Sequence, residues 1–260
     1  MPRIGAIPGG RPKNMPREFN PDEPEMMDRP QPVSDDLDRD LENLESLNRW
    51  FGSHRLLRHF LRQWWRAGES YRVLDLCTGA GDLPRVMVDY ARANDITLRV
   101  TALDMNPATL DLARKRAPGY DEINFVQGDA LTYRDSGAFD LVHCSLALHH
   151  FSERDATVIL RRSVDLASRW LLFADLERSP LTTLGVRLLT GTIYRHPMTR
   201  HDARVSARRA FSFAELRSLA DSAGWDAFGH ARFLFCRQVL WMEQDRSPGE
   251  VLLPVEGCPG

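Results

Sequence analysis

The chain has 260 residues, 27% of them charged, with a formal net charge of -2. That is long enough for one sizeable α/β domain with additions, and it lacks the basic field that would recommend nucleic acid as a partner. No apolar run approaches the ~18 residues a membrane span needs. Cys77, Cys144, Cys236 and Cys258 show no CxxC pair or metal spacing and no secretory leader precedes them, so a reducing, cytoplasmic setting is expected.

Eight of the sixteen prolines lie between Met1 and Pro32. Such a segment has little apolar surface to offset its chain entropy, and residues 1–33 are expected to be disordered. Ser34-Asp35-Asp36 then reads as an N-cap with acids in the first turn. Leu37, Leu41, Leu44 and Leu47 recur at helical spacing, and a second helix from Ser53 to Arg66 carries Leu56, Leu57, Phe60, Leu61, Trp64 and Trp65 on one broad side. Residues 34–68 therefore form an N-terminal helical cap. It either packs on the domain or walls a ligand pocket, with Trp50, Phe51 and Trp64 as the candidate walls.

From Tyr71 strands alternate with helices. Strands are expected at Arg72–Leu76, Thr97–Leu103, Ile123–Gln127, Phe139–Cys144 and Trp170–Ala174. Helices fall at Leu83–Asn94, Pro107–Arg116, Glu153–Ala167 and Ser212–Gly224. This alternation implies a parallel sheet with helices on both faces. Ala227–Phe233 and Leu234–Met242 are close enough in sequence to pair antiparallel, and residues 244–260 read as a loose tail.

Four expected strand ends carry groups suited to a ligand. The first runs into Asp75-Leu76-Cys77-Thr78-Gly79-Ala80-Gly81, where glycine tolerates positive φ and lets a ligand lie against the backbone. The second ends in Asp104-Met105, a carboxylate suited to vicinal ribose hydroxyls beside a side chain suited to a flat base. The third is followed by Asp129-Ala130, an acceptor for an exocyclic amine. The fourth ends in Ser145, followed by His149-His150.

This set resembles the class I methyltransferases that use S-adenosylmethionine. The glycine loop Asp75–Gly81 matches the family's first motif, Asp104 its acid after the second strand, and Asp129 its acid after the third. Leu74–Leu83, with Asp82 after the second loop glycine, is similar to the variant in ubiquinone and menaquinone methyltransferases. The resemblance implies a Rossmann-like, doubly wound seven-stranded sheet whose last strand is antiparallel, spanning residues 69–243. It also implies S-adenosylmethionine as cofactor, with S-adenosylhomocysteine as product, held by Asp75, Cys77, Thr78, Gly79, Gly81, Asp104, Met105, Asp129, Ala130 and Ser145. Cys77 and Thr78 depart from the pattern, since many members have glycine at the first and glycine or cysteine at the second. A dinucleotide-binding domain is the nearest competitor, but its third glycine would fall at Pro84.

Between the fifth strand and the last helix lies a long insertion, residues 177–211. Its first half is apolar through Leu181, Leu184, Val186, Leu188 and Leu189, and its second half is rich in arginine and histidine. In methyltransferases of this kind an insertion here commonly forms a lid over the acceptor. The expectation is methyl transfer to oxygen or carbon of a small aromatic, quinone-like or polyketide-derived acceptor. Trp50, Phe51, Tyr194, Arg195 and Arg200 would contact that acceptor, and a neutral His149 or His150 would serve as the base. The alternatives are N- or carboxyl-methylation, a non-catalytic S-adenosylmethionine-binding protein, or an NAD-binding one.

Overall fold

The computed structural model describes residues 15–135, 139–234 and 236–244. Seven strands form one sheet: β1 (Ser70–Leu76), β2 (Thr97–Asp104), β3 (Ile123–Gln127), β4 (Phe139–Ser145), β5 (Ala167–Leu176), β6 (Gly229–Phe233) and β7 (Arg237–Glu243). Their order is β3-β2-β1-β4-β5-β7-β6. β1 to β5 are parallel, and β7 alone runs against its neighbours β5 and β6. The strand order reverses between β1 and β4, which opens a crevice beyond their carboxyl ends. This is the expected doubly wound sheet with an antiparallel last strand.

The side-chain period of two divides the core. Val73, Leu141 and Leu172 face α2 (Ser53–Trp64) and α3 (Asp82–Ala93). Leu74, Val142, Leu171 and Phe173 face α5 (Glu153–Leu166) and α8 (Phe213–Ser222). Trp64 belongs to the first layer, stacked on Trp170 at 5.5 Å, so it is core and not a pocket wall. α1 (Asp35–Trp50), capped by Ser34 accepting from the Leu37 N–H, builds a third cluster with α4 (Pro107–Lys115) and Met198. The second half of the C-terminal hairpin begins at Arg237 and not at Leu234, because Leu234 turns the chain with φ of 55°.

The insertion folds as two helices, α6 (Pro180–Thr192) and α7 (Pro197–Arg209). Each starts on a proline, whose missing N–H is one a first turn does not need. The apolar side of α6 is divided: Val186 and Leu189 turn inward to a cavity, while Leu181, Leu184 and Leu188 are more than half exposed.

Residues 1–14 and 245–260, the outer parts of the two expected loose ends, lie outside the described residues. From Met15 onward the chain corrects the reading of disorder. The backbone N–H groups of Met26 and Met27 donate to the two oxygens of Asp202 on α7, at 2.8 and 3.0 Å. The Arg17 guanidinium donates to the carbonyls of Arg209, His149 and Phe151 and lies 3.8 Å over the Phe211 ring. Polar anchoring of this strap substitutes for the apolar burial that its composition lacks.

Asp40 on α1 is fully buried, and the Thr199 hydroxyl beside it offsets only part of the cost of burying its carboxylate. Burial pushes its pKa up to about 6. Between pH 4 and 6 the folded chain therefore holds a proton that the unfolded chain has lost, and stability falls as pH rises through that window. Asp40→Asn should raise stability at pH 7.5 by about 1–3 kcal/mol and flatten the decline from pH 4 to 7, as read from urea unfolding across that range.

Candidate functional site

A cavity of about 410 Å³ opens at the carboxyl ends of β1, β2, β4 and β5. Its floor is the glycine loop. Asp75, almost fully buried, accepts the Thr78 hydroxyl at 2.6 Å on one oxygen and meets His143 Nδ1 at 2.5 Å on the other. The Thr78 N–H donates to the carbonyl of Leu103 on β2. Cys77 is thereby held at φ of 55°, and Leu146, at the matching end of β4, at 56°. Two left-handed non-glycine residues on one cleft are a local strain, each costing of order 1–3 kcal/mol.

Gly79 follows with φ of 55°, and a Cβ there would meet no atom within 4 Å. Its N–H donates to Asp104 Oδ2 at 2.9 Å, while Oδ1 takes the N–H of Asn106 at 3.0 Å. Burial raises the Asp104 pKa against those two N–H groups. Each oxygen has one lone pair beyond its N–H bond, and Asp104 lines the cavity, so a ligand offering two hydroxyls fits. Asp129 spends Oδ1 on the Leu131 N–H at 2.8 Å, an Asx turn that leaves Oδ2 for an amine. The Ser145 hydroxyl is buried at the cavity wall with no partner among the described residues. Room at Gly79, spare acceptors at Asp104 and Asp129, an orphaned hydroxyl and a two-thirds exposed Met105 together suit S-adenosylmethionine.

Of the ten residues expected to hold a cofactor, Asp75, Cys77, Thr78, Gly79, Asp104, Met105, Asp129, Ala130 and Ser145 line this cavity. Gly81 does not. It caps α3 at φ of 67° with its α-carbon against Phe125, where a Cβ would come within 2.9 Å. Asp82, the residue after it, ties the loop to the N-terminal helices by accepting from Asn48 Nδ2 at 3.2 Å and pairing with His54 Nε2 at 2.9 Å.

The other half of the cavity lies under the insertion. Phe51 and Tyr194 line it, with the Tyr194 hydroxyl 2.9 Å from Ser46 Oγ. Trp50, Arg195 and Arg200 lie outside it, which corrects their assignment as acceptor contacts. Trp50 is 75% exposed on the far side of α1. Arg200 stands about half a turn around α7 from its buried face, which Met198, Thr199, Asp202, Val205 and Ser206 occupy. Arg208 and Arg209 serve the strap instead, pairing with Glu18 and donating to the Asn20 and Glu23 carbonyls.

His149 and His150 both reach the cavity from the turn after β4. His149 is buried, with Nδ1 2.6 Å from Asp175 Oδ1 and its N–H donated to Asp175 Oδ2. A ring nitrogen facing a carboxylate is the donor, so Nδ1 donates to Asp175 and Nε2 is the nitrogen outside that bond. His150 Nδ1 is 2.6 Å from Asp28 Oδ2. Burial opposes charge on His150, but Glu25 and then Asp28 outweigh it and push its pKa up to about 10. The two carboxylates thus favour the protonated ring, where the sequence suggested a neutral one.

Three wall residues escape a reading by motif. Glu25 and Asp28 come from the strap, whose prolines suggested no fold. Arg237, at the start of β7, is nearly fully buried on the cavity; it donates through Nε to the Phe51 carbonyl at 3.1 Å, and Nη1 has no partner among the described residues. An arginine among strand residues carries no local signal of what it faces.

A family model described as a methyltransferase domain matches residues 73–168. The 2-phytyl-1,4-naphtoquinone methyltransferase of Thermosynechococcus vestitus is 38% identical over 81 residues, 31% of this chain and 35% of that one. The ubiquinone/menaquinone biosynthesis C-methyltransferase UbiE of Shewanella halifaxensis is 29% identical over 113 residues, 42% of this chain and 43% of that one. The chain thus spans well under half the length of these curated relatives. Among solved structures, the plantazolicin methyltransferase BamL, in complex with a substrate analog and S-adenosylhomocysteine, superposes with a TM-score of 0.60. It is 14% identical and covers 80% of this chain and 89% of its own. Human N-acetylserotonin methyltransferase, in complex with S-adenosylmethionine, gives 0.57 at 17% identity, over 79% and 55%. The chain has the class I methyltransferase fold, and its sequence is related to that of small-molecule quinone methyltransferases. Among the described residues no helix is long and apolar enough to cross a membrane.

Arg17 joins the strap, the histidine turn and the end of α7 through charge-assisted hydrogen bonds. Arg17→Ala should cost about 2–3 kcal/mol of stability, measured by thermal and urea unfolding, with Arg17→Lys recovering only part because one ammonium cannot span the three carbonyls.

Proposed function

We propose that the chain is an S-adenosylmethionine-dependent methyltransferase acting on oxygen or carbon of a small aromatic, quinone-like or polyketide-derived acceptor. The observation that carries this is the continuity of one cavity, from the glycine loop, Asp104 and Asp129 at one end to Tyr194, Phe51 and the histidine turn at the other. When bound, S-adenosylmethionine supplies an electrophilic methyl group on a sulfonium.

The chain's own residues supply position and a proton path. Asp104 holds the ribose end, Asp129 the amine of the base, and the open face of Gly79 admits the ligand against the backbone. Most of the cavity wall is apolar, which suits an aromatic acceptor and excludes water around the reacting atoms. Holding two reactants in line accounts for much of such a rate. His149, oriented through Nδ1 by Asp175, presents Nε2 to accept a phenolic or enolic proton, a contribution of about 10²–10⁴-fold. The relatedness to quinone methyltransferases supports the acceptor class. Arg237 Nη1 supports an acceptor with an anionic oxygen.

Calorimetry with S-adenosylmethionine, S-adenosylhomocysteine, NAD and NADP tests the cofactor. Binding of the first two alone is expected. Asp104→Ala should weaken it by about 1.5–3 kcal/mol, and Gly79→Ala should weaken it while the protein stays folded. Tight NAD binding in place of S-adenosylmethionine would sink the assignment. With a panel of naphthols and hydroquinones, His149→Ala should lose turnover at least tenfold with cofactor affinity retained; full turnover in that variant would remove His149 from proton transfer.

A further inference from the structure

Three side chains that the cofactor reading does not use converge at the acceptor end of the cavity. His149 Nε2 lies 3.8 Å from Glu25 Oε1, and His150 Nε2 lies 3.9 Å from Glu25 Oε2. One ligand atom from each of the three falls within 4.8 Å of the others. The rings are neighbours, with centroids 4.3 Å apart. Glu25 and His149 are nearly fully buried and His150 is mostly so.

What surrounds them is as specific as their approach. His149 gives Nδ1 to Asp175 and His150 gives Nδ1 to Asp28, both at 2.6 Å. The Ser206 hydroxyl donates to Glu25 Oε1 at 2.8 Å. Each imidazole thus has a carboxylate partner on the side away from the meeting point and is set with Nε2 toward it, while Ser206 holds the Glu25 carboxylate. A histidine that ligates a metal almost always donates its other nitrogen to a carboxylate or carbonyl in this manner. Two imidazoles and one carboxylate, with open positions on a cavity, form a donor set typical of zinc and of other first-row divalent ions. Metal–ligand distances of about 2.0–2.2 Å would ask each atom to move inward by less than about 1 Å.

We propose that Glu25, His149 and His150 form a binding site for a divalent transition-metal cation, with zinc as the type, whose open side faces the acceptor end of the cavity. On binding, the cation would displace any proton on His150 Nε2 to water. With His149 Nε2 then a ligand in place of a base, the cation would take a phenolic or enolic oxygen of the acceptor as its remaining ligand and favour loss of that group's proton to water. The oxygen would then form its bond to the methyl group as the S–CH3 bond breaks. The role in methyl transfer rests on the function proposed above, whereas the site itself does not. The strap then has a reason for its anchors: Met26 and Met27 on Asp202, and Glu25 on Ser206, fix a ligand that no strand or helix of the sheet could supply.

The test uses the full chain, stripped with a chelator and titrated with Co²⁺ by visible absorption and with Zn²⁺ by calorimetry, in the absence of S-adenosylmethionine. One cation per chain is expected, without a sulfur-to-cobalt charge-transfer band. Glu25→Gln and His150→Gln should each weaken binding by more than 100-fold, and Asp28→Asn by about 10–100-fold. Circular dichroism identifies variants that remain folded. No stoichiometric uptake by the wild type would overturn the proposal. Wild-type affinity in folded Glu25→Gln and His150→Gln, or a thiolate band placing the ion on Cys77 or Cys236, would do the same. S-adenosylmethionine affinity measured on the same samples separates the two readings. Cofactor binding without metal uptake defeats the site alone, and metal uptake without cofactor binding defeats the methyl-transfer reading alone.

Discussion

The glycine loop is gripped by two carboxylates from adjacent strands. Asp75 locks it from below through the Thr78 hydroxyl and, on its other oxygen, braces against His143; Asp104 draws the Gly79 N–H from the side. A loop that admits a ligand to its backbone cannot be held by apolar side chains on that same face. These polar contacts take over that task. Because Asp75 is buried between β1 and β4, they register the loop to the crevice where the strand order reverses. The left-handed backbone at Cys77 and Leu146 is the conformational cost of that registration.

Above this floor, helix packing and hydrogen bonding divide the work. α2 is bound by apolar area, with Phe60, Leu61 and Trp64 set into the sheet layer. α1 is joined to the insertion by polar bonds, Asn43 to Thr199 on α7 and Ser46 to Tyr194 in the turn before α7, around a small apolar cluster. An apolar layer tolerates little change, whereas a roof linked by a few directional bonds can open by breaking them one at a time.

The sheet, the glycine loop and the acids at Asp104 and Asp129 were legible because their signals are local. Strands show as short apolar runs, helices as 3.6-residue periods, and the loop as two glycines between a strand and a helix. The strap was not legible for the opposite reason. It is recognised through its backbone, by Asp202 about 175 positions away and by carbonyls that accept from Arg17, and backbone donors leave no mark in sequence. The arginines of the insertion misled for a related cause. Charge density marks a polar face without saying what it meets, and here Arg208 and Arg209 meet the strap while Arg195 and Arg200 meet solvent. Proline content likewise spoke of missing apolar area and was silent on the anchors that replace it.

The strap's dependence on Asp202 sets an order of assembly. β7 must enter between β5 and β6 before the sheet is whole, and it comes last in the described chain. Glu25, almost the first of the described residues, cannot be placed until α7 exists to receive Met26, Met27 and its own carboxylate. During synthesis the strap emerges well before α7 and waits, without its partners, for that helix to follow. A chain that stops short of α7 has the glycine loop but no completed histidine corner. Premature or partly folded chains thus lack Glu25 beside the two histidines.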